Sequence, residues 1–122
     1  MASAPVDRVR LERLATRFGA HFLIQLIDLF IAQGRERLAA AEAGVASGDV
    51  SAIIAAAHAL KSSAGNLGAG SLGQCAADLE RRGNSGASAD ALAPMVAALT
   101  DAFAAACTAL EATRTDVERR TA

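Results

Sequence analysis

The sequence predicts an all-α protein, an antiparallel four-helix bundle preceded by a short N-terminal lead-in helix. Three observations carry that prediction. Alanine supplies 32 of the 122 residues, and alanine is the strongest helix former. Apolar residues recur at spacings of three and four along four separate segments, the period of one helix face. The breaks between those segments are short and glycine-containing, so consecutive helices must fold back on one another.

The elements follow in order. Residues 7–17 form the lead-in helix, with Val9, Leu11 and Leu14 as its apolar positions. The second helix runs from Ala20 to about Val45, with Phe22, Leu23, Leu26, Ile27, Phe30, Leu38, Ala41 and Val45 at mixed spacings of three and four. Gly34 inside it is unexplained, since glycine costs about 1 kcal/mol relative to alanine in a helix. The third starts near Ser47-Gly48-Asp49, where Ser or Asp can cap free amides. Its stripe is Val50, Ile53, Ala57, Leu60, Ala64 and Leu67. The fourth, 71–82, places Leu72, Cys75, Ala76 and Leu79 on one face. The fifth starts at Asp90 or Pro94, since proline is tolerated in a first turn. It runs to Thr113 with Leu92, Val96, Leu99, Phe103, Ala106 and Leu110 inward. The bundle therefore spans 20–114, and residues 115–122 read as a polar, fraying tail. Nothing suggests a second domain.

Composition excludes several functions. With 52% apolar residues and a net charge of −1, the chain is neither a disordered segment nor a basic nucleic-acid binder. Its two cysteines, Cys75 and Cys107, make no disulfide framework and read as small core hydrophobes. Residues 1–5 carry no basic region leading into an apolar run, so no secretory leader is expected. The apolar stretch from Phe22 to Ala32 is broken by Gln25 and Asp28 and falls short of the ~20 residues a span needs. A cytoplasmic protein without a membrane partner is expected.

One residue does not fit the core. At about 100° per residue, His58 lies about 140° from the centre of the third helix's stripe and faces solvent. Its neighbours within one turn include Ile54, Ala55, Lys61, Ser62 and, at the next turn, Gly65, mostly small. Lys61 is the only lysine in a chain with eleven arginines, and at i+3 it can share a ligand with the imidazole. A surface histidine without a task is the plain alternative. No acid and nucleophile converge on it as a hydrolytic triad requires. The only other histidine, His21, is a half-exposed helix-start residue and completes no metal site. No strand precedes a glycine-rich phosphate loop.

The run His58-Ala59-Leu60-Lys61-Ser62-Ser63-Ala64-Gly65-Asn66-Leu67-Gly68-Ala69, followed by Leu72, Cys75, Leu79 and Glu80, resembles the histidine-containing phosphotransfer (HPt) domain of bacterial phosphorelays. That family reads H-x-L-K-G-S-[SA]-x-N-[LF]-G-[AF] and then L-x-x-x-C-x-x-L-E. Phe18-Gly19 and the stretch Phe22 to Phe30 also resemble its lead-in, so the similarity covers about residues 7–112.

The resemblance implies a phosphoryl carrier. His58 would accept a phosphoryl group from the aspartyl phosphate of one receiver domain and pass it to another. The partners implied are receivers of hybrid histidine kinases and of response regulators, with the carrier itself a monomer. Lys61 would stabilise charge, and Glu80 would orient the imidazole through Nδ1. A solvated flank carboxylate is the alternative for Glu80, and a solubilising charge for Lys61. Ile54, Ala55, Ser62 and Gly65, with exposed parts of the second helix, would meet the partner. No cofactor is implied on this chain; Mg²⁺ belongs to the receiver. Autonomous kinase activity is not expected, because Ala59 stands where histidine kinases place an acid after their histidine. Ser62 departs from the family's usual glycine, which leaves open a transfer-deficient module that only sequesters receivers.

Overall fold

The computed structural model describes residues 4–121. The reading of residues 1–5 as lacking a leader falls largely outside them. Five helices are present among the described residues: α1 (Arg8–Phe18), α2 (Ala20–Ser47), α3 (Val50–Leu67), α4 (Gly70–Asn84) and α5 (Ala89–Thr121). Helices α2 to α5 form the predicted bundle. Each packs on its neighbour in chain order, and α2 closes the ring against α5.

Local chemistry sets the boundaries. The Asp7 carboxylate accepts from the Arg10 amide at 3.2 Å and opens α1, and Asp49 does the same for α3 through the Ala52 amide at 3.1 Å. Ser88 accepts from the Ala91 amide at 3.1 Å and opens α5. The helix therefore starts before Pro94, which lies in its second turn rather than its first. Gly68 ends α3 with φ +69°, a left-handed conformation that favours glycine. The Gly68 carbonyl also accepts from the Asp7 amide at 2.9 Å, which ties the segment before α1 to the α3–α4 junction.

The predicted stripes are the core. Ile53, Leu60, Leu67, Leu72, Leu79, Leu92, Leu99 and Leu110 are all under 2% exposed. Cys107 is buried, Cys75 half-buried, and both thiols are free. Some apolar residues of the first two helices point outward instead: Val9, Phe22 and Leu29 are exposed, with Phe18 beside Phe22.

The expected fraying tail is corrected. Helix α5 continues without a break to Thr121. By helical rise, α2 and α5 are about 40–50 Å long and α3 and α4 about 22–27 Å. The ends of α2 and α5 overshoot the α3–α4 junction, and α1 fills the space beside them. Leu110, Thr113 and Val117 carry the three-four spacing into this region, and all are buried. Thr113 satisfies its hydroxyl by donating to the Ala109 carbonyl at 3.1 Å. Arg8 pairs with Asp116 at 2.7 Å, and Arg114 reaches Asp28 at 2.8 Å. Such exposed pairs each contribute about 0–1 kcal/mol, so burial of Val117 does more to hold this end of α5 in place.

Gly34 also finds its reason. A Cβ there would overlap the buried Phe103 ring of α5, which packs on Phe30 with centroids 5.7 Å apart. Gly34→Ala is therefore expected to destabilise the protein. Overpacking costs about 1–3 kcal/mol and outweighs a propensity gain of about 1 kcal/mol. A fall in the urea midpoint would register this; a rise would show that the ring can move aside.

Candidate functional site

The site rests on the close approach of α3 and α4. A Cβ at Gly83 of α4 would sit 2.5 Å from Ile54 Cγ1, and one at Gly73 would lie 3.6 Å from the Ala64 methyl. Ile54 fills the space a side chain at Gly83 would take, whereas a methyl at Gly73 would make only ordinary contact; α4 lies near enough for a glutamate on its flank to reach across to the outer face of α3.

That glutamate is Glu80. Its Oε2 lies 2.5 Å from His58 Nδ1, and its Oε1 accepts from Lys61 Nζ, also at 2.5 Å. One carboxylate thus serves two donors on successive turns of α3. The three side chains are graded in exposure: His58 66%, Lys61 41%, Glu80 16%. The imidazole stands out in solvent while the group that holds it is tucked between the helices.

The electrostatics fix the proton. The hydrogen bond from Lys61, then that from His58, holds the Glu80 carboxyl below the usual carboxylate range, against an opposing effect of burial. Glu80 is therefore ionised at neutral pH and can only accept. The proton in the His58–Glu80 contact belongs to Nδ1, so in the neutral ring the lone pair is on Nε2, pointing away from Glu80. A carboxyl lowered in this way contributes stability that is present at neutral pH and above, and lost in acid as pH falls through its folded value.

The structure thus brings together His58, Lys61 and Glu80. The solvated-flank alternative for Glu80 does not hold, and Lys61 is tied to the carboxylate rather than free. Of the residues expected to meet a partner, Ala55, Ser62 and Gly65 are exposed. Nothing lies within 4 Å of a Cβ built at Gly65, so its lack of a side chain serves no packing inside the chain. Ile54 is only half-buried, but its side chain already fills the notch above Gly83. His21 is exposed at the start of α2, well along the chain from this cluster. Among the described residues, no group of three or more His, Cys, Asp or Glu side chains gathers as a metal site would require.

Sequence reasoning missed the exposed apolar residues of α2. Phe22 and Leu29 are 41% and 53% exposed and lie seven residues apart, on one strip of the helix. Leu29 is about 60° around the helix from Gly44, which meets Ile53 of α3, and about 140° from Gly34, which meets Phe103 of α5. The strip therefore borders the α3 side of the bundle. The signal was an excess: Phe22 to Ile31 holds more apolar residues than one buried face needs.

The sequence profile of the Hpt domain family matches residues 25–114. The chain belongs to the Hpt domain family. Two solved structures share its fold over nearly their whole length. Histidine-containing phosphotransfer protein B (HptB) from Pseudomonas aeruginosa PAO1 superposes with a TM-score of 0.85 at 23% identity, covering 94% of this chain and 98% of that one. The HPT domain from the Hpt sensor hybrid histidine kinase from Shewanella gives 0.78 at 11% identity, covering 93% and 96%. No curated protein matches the chain in sequence. By family this Hpt domain is a phosphotransfer module of two-component signalling.

Proposed function

We propose that this Hpt domain is a phosphorelay intermediate: His58 accepts a phosphoryl group from the aspartyl phosphate of one receiver domain and passes it to another. The observation that carries the reading is the exposed imidazole whose Nδ1–H is held by Glu80, so that Nε2 is the nucleophile. In the forward step the Nε2 lone pair attacks phosphorus and an N–P bond forms. The P–O bond to the receiver's aspartate breaks, and its electrons return to that carboxylate. The developing positive charge on the ring is offset by Glu80 through Nδ1–H. Transfer onward is the same step reversed against a second aspartate.

The catalytic load is divided. Phosphoryl transfer needs in-line approach and positive charge around the equatorial oxygens. This chain offers Lys61 and an uncluttered face; the receiver supplies Mg²⁺ and the acidic pocket. The chain is accordingly a carrier and docking platform, without kinase activity of its own, working as a monomer in the cytoplasm where receivers are found. The partner surface comprises Ala55, Ser62 and Gly65 around His58, the exposed edge of Ile54, and the apolar strip of Phe22 and Leu29.

The test is incubation with a panel of phosphorylated receivers from the host. Label should appear on the protein in an acid-labile, base-stable form and leave it again on addition of a second receiver. Tight binding without label would instead favour a module that sequesters receivers. The docking face has its own test. Gly65→Trp is expected to leave helical circular dichroism unchanged, because the position is open, and to block transfer by obstructing approach. Normal transfer in that variant would place docking elsewhere.

A further inference from the structure

Ser62, one turn beyond His58, occupies the position where the family's motif usually has glycine. Its hydroxyl makes no hydrogen bond to another described residue. A helical Ser or Thr commonly donates to the carbonyl four residues back, and several here do: Ser63 to Ala59 at 3.0 Å, Thr100 to Val96 at 3.1 Å, Thr108 to Ala104 at 3.1 Å and Thr115 to Glu111 at 3.0 Å. Ser63 and Ser62 are adjacent, yet only the half-buried one bonds back to the helix. The exposed hydroxyl beside the imidazole makes no hydrogen bond among the described residues.

Direction adds to this. Helical Cα–Cβ bonds tilt toward the N-terminus, so the Ser62 hydroxymethyl leans over the turn that carries His58. Around the helix, Lys61 lies about 60° to one side of His58 and Ser62 about 40° to the other. Glu80 draws the imidazole's Nδ1 edge toward the Lys61 side, so Nε2 projects away from Glu80. A group built on Nε2 would then stand outside the helix, toward the Ser62 side of His58. Glu80 takes one of the three donors of the Lys61 ammonium; on the other side of His58, the Ser62 hydroxyl is a donor with no hydrogen bond among the described residues.

We propose that Ser62 donates its hydroxyl hydrogen to a phosphoryl oxygen on phosphorylated His58 and so stabilises the charged state of this carrier. The inference rests on the carrier reading above. A donor to a phosphate oxygen is charge-assisted. It favours the phosphorylated protein over the free one, and shifts the transfer equilibrium toward the carrier. It also lengthens phosphohistidine life, because Ser62 is anchored on the carrier and its bond to the phosphoryl oxygen weakens as the group moves away from Nε2.

The experiment phosphorylates wild type, Ser62→Ala and Ser62→Gly with one phosphorylated receiver. It reads the equilibrium share of label on each carrier and, after removal of the receiver, the half-life of the phosphohistidine. Both variants are expected to lose roughly ten- to thirtyfold in carrier-to-receiver ratio, the lower part of what a hydrogen bond to a charged group contributes, and to lose label faster. Alanine keeps the helix and removes only the hydroxyl. If Ser62→Ala matches wild type in both readouts, the proposal is overturned while the carrier reading stands. If Ser62→Gly merely transfers faster at an unchanged equilibrium, Ser62 acts by bulk, and the proposal is again overturned. A wild type that takes no label at all overturns the carrier reading and this inference together.

Discussion

Replacing His58 by glutamine is expected to reduce phosphoryl acceptance to background while leaving the fold intact. The loss should be complete rather than partial, because no other group can take over. His21 is exposed at the start of α2, with no carboxylate bonded to it among the described residues and no lysine one turn away. The remaining nucleophiles near the site are the Ser62 and Ser63 hydroxyls, which lack an activating base. The fold should be indifferent. His58 is exposed and packs against nothing in the core, and substitutions at such sites usually stay within about 0.5 kcal/mol. Glutamine can still donate to Glu80, so the carboxylate keeps a partner besides Lys61. Labelling of the variant with a receiver phosphate donor, followed by acid and base treatment, checks the outcome. Persistent acid-labile label would move the phosphoacceptor away from α3.

Much of the fold and the centre of the site were legible because α3 and α5 carry regular apolar spacing. Ile53, Ala57, Leu60, Ala64 and Leu67 fix the rotational phase of α3, and that phase alone puts His58 outward. Alanine blurs such reading, since it suits both surfaces: Ala55 is exposed and Ala56 buried on consecutive positions. What stayed hidden was set by distant neighbours. Thr113 and Val117 look like surface residues until α1, more than ninety residues earlier in the sequence, is laid beside them. Gly34 looked like a defect because its partner, Phe103, lies on another helix. Glu80 was reached only by family resemblance. Its contact with both His58 and Lys61 depends on how near α4 comes to α3, an approach that Gly83 permits by leaving room for Ile54, and no single-helix wheel contains that distance.

The opposite face of the same helix makes the second large prediction. Leu60→Ala is expected to cost about 2–5 kcal/mol of stability. Leu60 is 1% exposed, and its flanking residues on the α3 stripe are alanines, Ala57 and Ala64, both fully buried. Alanine has no rotamers with which to fill a vacated space, so the cavity should persist and the cost should fall in the upper part of that range. Urea unfolding should show a lower midpoint at an unchanged slope, the signature of a stability change without a change in exposed surface. At low temperature the folded fraction should still accept phosphoryl groups at the wild-type rate, because His58, Lys61 and Glu80 meet on the other side of the helix. A loss below about 1 kcal/mol, well under the range for such truncations, would mean that the phase assigned to α3 is wrong, and the outward placement of His58 would fall with it. The expected stability loss accompanied by lost transfer would instead show that the α3–α4 spacing, and so the reach of Glu80, depends on the side chain at position 60.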